Sequence, residues 1–193
     1  MITTRIVIDA DGVLMDMCSA AFYEMREQGK LDPELTIDAW YDKYPKGDYN
    51  LHRAFSITHK DCWAVLDTPK FWKSVKPYIG AIDFANEVLR IGNRIGAQVM
   101  IATQATKSPQ TVGPKMEGLA CFDLPTYCIW QGRKDPLGDQ YSLLIDDYQL
   151  NLDRWVGTTL EFPQLWNSRY KLLGGSYRPQ YDLVLEELER MLL

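Results

Sequence analysis

The stretch Arg5–Asp16, RIVIDADGVLMD, begins as an apolar run and then delivers three carboxylates within eight residues. Asp9 and Asp11 straddle a single alanine where the apolar run stops. RIVID has the length and β-branched content of a strand buried on both faces, as in a parallel sheet covered by helices. Like charges gathered at the end of such a strand need a reason. Two carboxylates ~4 Å apart repel by about 4 kcal/mol at an effective dielectric of ~20. A fold that collects several must protonate some of them or bind a cation.

Working outward, QVMIAT (98–103), YCIWQ (127–131), SLLID (142–146) and TTLEF (158–162) read as further buried strands. Residues 81–95 are apolar at helical spacing, with Ile82, Ala85, Val88, Leu89 and Ile95 on one side and Gly96 as the C-terminal stop. Asp182–Leu193 repeats the pattern and is expected to close the fold against the sheet. Gly113-Pro114 should break any helix in 106–126, which reads as a short helix plus loop. Strands alternating with helices predict an α/β fold with a Rossmann-like, doubly wound parallel sheet. The interval between the first two strands, residues 10–97, is far longer than an ordinary crossover. Within it, Phe22, Met25, Trp40, Tyr41, Tyr44, Phe55, Trp63 and Leu66 recur at helical spacing. We therefore expect a small helical cap at 17–75, inserted into a core domain formed by 1–16 and 76–193.

Composition bounds the function. The 193 residues are 46% hydrophobic, which suits one globular core with a modest insertion. A formal charge of −5 argues against a general nucleic-acid binder. No apolar run approaches the roughly 18–20 residues needed to span a bilayer, and Asp9 and Asp11 interrupt the segment a signal peptide would use. Cys18, Cys62, Cys121 and Cys128 show no CxxC spacing and read as free thiols of a reducing cytoplasm. His52 and His59 lack the spacing of a helical metal pair.

In open α/β sheets, ligands bind outside the carboxyl ends of the strands at the switch in strand order. Three predicted strands end there in Asp9-Ala10-Asp11, in Thr103 and in Asp146-Asp147. Hard oxygen ligands without histidine or cysteine point to Mg²⁺. Taken alone, Asp9-x-Asp11 is also open to a capping role for the next helix. Its company in a consistent order, Gly12, Thr103 and LLIDD (143–147), makes chance a poor account.

These motifs resemble the haloacid-dehalogenase-type phosphohydrolases: DADGV (9–13), the run ending in Thr103, a lysine before the fourth strand, and LLIDD. Within that superfamily the chain is most similar to the 5′(3′)-deoxyribonucleotidase group, through VIDADGVLMD, FWKSVKPYIGA (71–81), LLIDD and FPQLWN (162–167). The resemblance implies that Asp9 attacks phosphorus and forms an aspartyl-phosphate, while Asp11 serves as general acid and base and lends its backbone carbonyl to Mg²⁺. It implies that Thr103 and Lys134 bind the phosphoryl group, and that Asp9 and Asp147 ligate the metal with Asp146 beside them. Lys115 competes with Lys134 for the lysine role, and strand-end placement favours Lys134. Gln104-Ala105 stand where similar enzymes carry Ser-Pro, so a phosphate-contacting hydroxyl is missing. Tyr148-Gln149 replace a usual Arg-Pro, and Met17 occupies an aromatic position of the substrate pocket.

The cap would supply selectivity, with Trp63, Phe71 and Trp72 as candidates for stacking on a nucleobase; the alternative is that these rings form the cap's own core. The resulting expectation is a Mg²⁺-dependent phosphomonoesterase for small phosphate monoesters, nucleoside monophosphates and above all deoxyribonucleotides. A homodimer is compatible with it. Nucleic acid and membrane partners are not expected. The rival readings are a phosphatase for a sugar phosphate or a 3′-phosphorylated nucleic-acid end, and a catalytically silent nucleotide- or partner-binding protein.

Overall fold

The structure, a computed structural model, describes residues 3–44, 50–129, 133–167 and 179–193. Its centre is a five-stranded sheet of β1 (Arg5–Asp9), β2 (Gln98–Gln104), β3 (Thr126–Ile129), β4 (Ser142–Asp146) and β5 (Thr158–Glu161). The strands lie in the order β3-β2-β1-β4-β5 and every pairing is parallel. This is the expected doubly wound α/β sheet. Of the predicted third strand, residues 130–131 lie outside the described residues. The chain winds from β1 outward to β2 and β3, then returns to β4 on the other side of β1. The switch in strand order therefore falls between β1 and β4. Ile8 pairs with Ile145, so Asp9 and Asp146 end their strands at the same level.

Both faces are buried along the central strands β1, β2 and β4, as a parallel sheet requires. The edge strands β3 and β5, expected to be buried, are largely half-buried or exposed, because each has a neighbour on one side only. Ile6 and Ile8 of β1 join a cluster with Phe84, Val88, Ile91 and Leu188. Val7, between them, points the other way and packs with Met100, Leu144, Leu152 and Trp155.

Among the described residues, the segment 17–75 holds five helices: α1 (Met17–Glu27), α2 (Ile37–Asp42), α3 (Leu51–Ala54), α4 (His59–Leu66) and α5 (Pro69–Ser74). Asp16, Thr36, Thr58 and Thr68 cap α1, α2, α4 and α5, each accepting a backbone N–H in the first turn. Trp40 stacks on Phe55 with ring centroids 4.6 Å apart and also meets Phe22 and Tyr44. This aromatic group is continuous with the apolar cluster on the sheet. The chain leaves and re-enters the sheet region side by side, held by Asp16 N–H to Lys76 O (2.8 Å) and Tyr78 N–H to Leu14 O (2.9 Å).

α6 (Ala81–Ile95) ends at Gly96, whose φ of 73° is the left-handed conformation that glycine adopts at little cost. Its buried face is Ala81, Phe84, Ala85, Val88, Ile91 and Gly92, whereas Ile82, assigned to that side from spacing, is 43% exposed. After a 3₁₀ turn at Pro109–Thr111, α7 (Val112–Leu119) runs through Gly113-Pro114. The expected break does not occur, because Pro114 sits in the first turn, where a backbone N–H has no helical partner to lose. α8 (Gln149–Arg154) follows β4, and α9 (Tyr181–Leu192) packs on α6. No helix among the described residues is long and apolar enough to cross a membrane.

Candidate active site

The ends of β1 and β4 bring Asp9, Asp146 and Asp147 together, with one carboxylate oxygen of each within 4.8 Å of the others. All three are buried. Lys134, 3% exposed, bridges two of them: its Nζ is ion-paired to Asp9 Oδ1 and lies 2.8 Å from Asp146 Oδ2. Asp9 Oδ1 also accepts from the Ala10 N–H at 2.7 Å. Asp146 is well supplied, accepting from the Tyr148 N–H (2.9 Å) and from Asn151 Nδ2 (3.0 Å) as well as from the lysine.

One ammonium cannot neutralise three carboxylates. Burial, and then the charge of Asp146, push the Asp9 carboxyl up to about 7 against the pull of Lys134. Burial alone would lower the Lys134 ammonium, but Asp146 and Asp9 outweigh it and hold the group above the usual lysine value. Asp147 is the least satisfied. Neither carboxylate oxygen has a hydrogen-bond partner among the described residues. Burial, followed by Asp9 and Asp146, raises its carboxyl well above the ordinary range. A buried carboxylate with no partner among the described residues, beside two others, makes a hard-oxygen donor set that could hold a divalent cation.

Gly12 makes room for this arrangement. Its φ is 85°, and a Cβ there would lie 2.9 Å from the Asp147 carboxyl carbon and 3.0 Å from the Trp166 ring. Only glycine can pass so close in that backbone conformation.

Asp11 lies on the other side of this turn, facing α7. Its Oδ2 is ion-paired to Lys115 Nζ and lies 3.4 Å from the Thr103 hydroxyl. Lys115 also donates to Gln104 O at 2.6 Å and sits 4.2 Å above the centre of the Trp72 ring. Lys115 and Lys134 thus serve different carboxylates. Asp11 and Lys115 open into a cleft of ≈ 300 Å³ walled by Met17, Leu66, Trp63 and Trp72. Gln104 and Ala105, the residues in place of Ser-Pro, line it too. Of the three rings considered for stacking, Trp63 is 37% exposed and donates from Nε1 to His59 Nε2 at 2.7 Å. Trp72 is nearly buried, with Lys115 over its face. Phe71 has no exposed surface, is absent from the cleft wall and packs edge-on against Trp72.

No protein-family model matches the chain, and no curated protein does. Solved structures do. The HAD-hydrolase YfnB of Bacillus subtilis, bound to magnesium, aligns with a TM-score of 0.55 at 15% identity, over 100% of this chain and 99% of its own. A haloacid dehalogenase-like hydrolase from Streptococcus pneumoniae gives 0.53 at 14% identity, covering 98% of both chains. A hydrolase from Pseudomonas syringae gives 0.52 at 18%, covering 98% of this chain and 99% of its own. The fold is haloacid-dehalogenase-like.

On this haloacid-dehalogenase-like frame, side chains without an assigned role in the sequence also reach the site. Gln164 Nε2 donates to the Gly12 carbonyl, and Asn167 Nδ2 donates to Asp147 O at 3.2 Å. Asn151 supports Asp146. FPQLWN was visible as a motif, but an amide side chain carries no mark of the backbone group it will meet.

Proposed function

We propose that this protein is a Mg²⁺-dependent phosphomonoesterase acting on nucleoside monophosphates, with 5′(3′)-deoxyribonucleotides as the preferred class. The observation that carries the reading is the buried cluster of Asp9, Asp146 and Asp147, with Lys134 bridging the first two, Asp147 without a hydrogen-bond partner among the described residues, and Asp11 at the head of a cleft. Asp9, Asp147 and the Asp11 backbone carbonyl would hold the metal, with Asp146, already committed to three donors, orienting the set. When bound, Mg²⁺ supplies positive charge to the phosphoryl oxygens.

The chain's own residues divide the work. A carboxylate oxygen of Asp9 attacks phosphorus and the ester bond breaks. Asp11 gives its proton to the departing oxygen. Water then attacks the aspartyl-phosphate, Asp11 takes the water's proton, and inorganic phosphate leaves with Asp9 restored. Lys134 holds Asp9 in place and stabilises its ionised form. The buried Thr103 hydroxyl, beside Asp11, is within reach of a phosphoryl oxygen there. Residues 17–75 act as the cap over this centre. A cleft with apolar and tryptophan walls supports a planar group remote from phosphorus, and Trp63 and Trp72 are the rings placed to meet it.

The test is hydrolysis of p-nitrophenyl phosphate with Mg²⁺ and with EDTA, followed by a panel of phosphate monoesters. Turnover that needs Mg²⁺ and is fastest on deoxyribonucleoside monophosphates is expected. Sugar phosphates as the best substrates would overturn the substrate assignment. Folded protein that hydrolyses nothing would overturn the phosphatase.

A further inference from the structure

The segment after β5 crosses from one acidic turn to the other. Phe162 N–H bonds Asp146 O at 2.8 Å and so extends the β4–β5 ladder to the end of the carboxylate strand. Two residues on, Gln164 is fully buried, and its side-chain amide donates to the carbonyl of Gly12, in the turn that follows Asp9 and Asp11. The Gln164 N–H in turn bonds Asn167 Oδ1 at 3.0 Å. The amide nitrogen of Asn167 reaches Phe162 O (2.7 Å) and Asp147 O (3.2 Å). Between them the Trp166 ring lies against Gly12. One short loop therefore ties the backbone of the Asp9–Asp11 turn to that of the Asp146–Asp147 turn.

The two turns belong to different strands, and the charges on them repel. Without a crosslink, the cheapest response of the metal-free protein is for the turns to move apart. Gly12 shows how close the two turns lie: its backbone is so near the Asp147 carboxyl that no side chain fits.

We propose that Gln164 and Asn167 are positioning residues that set the spacing of the metal-binding carboxylates, acting through the carbonyls of Gly12 and Asp147. The clamp prepays the cost of bringing like charges together, and cation affinity depends on it. This rests on the metal-dependent reading above. Partners that orient a metal's ligands typically contribute ten- to a hundredfold in affinity.

The experiment compares wild-type protein with Gln164→Met, which keeps the buried volume and deletes the donor, and with Asn167→Ser, which shortens the reach to Asp147 O. Mg²⁺ affinity is measured by calorimetry on EDTA-treated, dialysed protein, and melting is followed without metal. Both variants are expected to bind Mg²⁺ about tenfold or more weakly. At saturating Mg²⁺, kcat on p-nitrophenyl phosphate should return towards wild type with KM little changed. A residue that merely stabilises the loop would lower the metal-free melting temperature and leave Mg²⁺ affinity alone, and that result overturns the proposal. If Gln164→Met does not fold, Asn167→Ser decides, since it loosens the same clamp from its surface end. Wild-type protein that binds no Mg²⁺ would refute the metal-dependent reading instead.

Discussion

Replacing Asp147 by asparagine should stabilise the metal-free protein. The carboxylate is buried, has no hydrogen-bond partner among the described residues, and shares a space of at most 4.8 Å with Asp9 and Asp146. At that separation each like-charge pair costs about 3.5 kcal/mol at an effective dielectric of ~20. Lys134 and partial protonation relieve some of this. Asparagine removes the charge and brings an N–H₂ that can donate to either neighbour, so a net gain of about 2–3 kcal/mol is expected. In a chain of this size that is about 5–10 °C in melting temperature. The sign with pH follows from the direction of the shifts. The Asp9 carboxyl is raised from 3.8 to about 7 in the folded state, and Asp147 is raised too. The folded protein therefore holds protons that the unfolded chain has released. Metal-free wild-type stability is greatest below the unfolded value and falls as pH rises through that window. The advantage of the variant should accordingly be small near pH 4 and full near pH 7–8. Calorimetric melting in EDTA across pH, repeated with Mg²⁺, tests this. Mg²⁺ should raise wild-type melting and leave Asp147→Asn unmoved. A variant that melts below wild type at neutral pH without metal, or still responds to Mg²⁺, refutes the reasoning.

Asp9→Asn should abolish turnover of p-nitrophenyl phosphate while circular dichroism and melting stay near wild type; appreciable residual turnover would exclude an attack by Asp9. Lys134→Met should be the most damaging single change in the site, since it strands two buried carboxylates that its Nζ now pairs; about 3–5 kcal/mol is expected by urea unfolding in EDTA, and a loss under ~1 kcal/mol would show that the pair is dispensable. Trp63→Ala should lower kcat/KM for a deoxyribonucleoside monophosphate about tenfold, corresponding to the ~1–3 kcal/mol of a base stack, and change p-nitrophenyl phosphate hydrolysis much less; equal effects on both would remove Trp63 from substrate recognition.

What the sequence determined by itself is whatever depends on near neighbours along the chain. Strand and helix periodicity repeat every few residues, so the apolar runs at β1, β2, β4 and β5 and the helix ending at Gly96 were legible before any tertiary contact was known. The placement of Asp9, Thr103 and Asp146 at strand ends was legible for the same reason, and with it the all-parallel α/β sheet. Even local reasoning failed where position within an element mattered. Gly113-Pro114 looked like a break and proved to be a first turn, and Ile82 fell one residue off the buried face of α6. Only the tertiary structure decided who meets whom. Lys134 reaches Asp9 and Asp146 from the turn before β4, while Lys115 is taken by Asp11 from α7. Phe71 turns into the core and leaves Trp63 and Trp72 at the cleft, although all three are aromatic and close in sequence. Gln164 finds a carbonyl at Gly12, 152 positions away along the chain. Such contacts are set by how sheet layers, helices and loops pack over long sequence separations, and side-chain chemistry alone does not encode which partner the folded backbone will present.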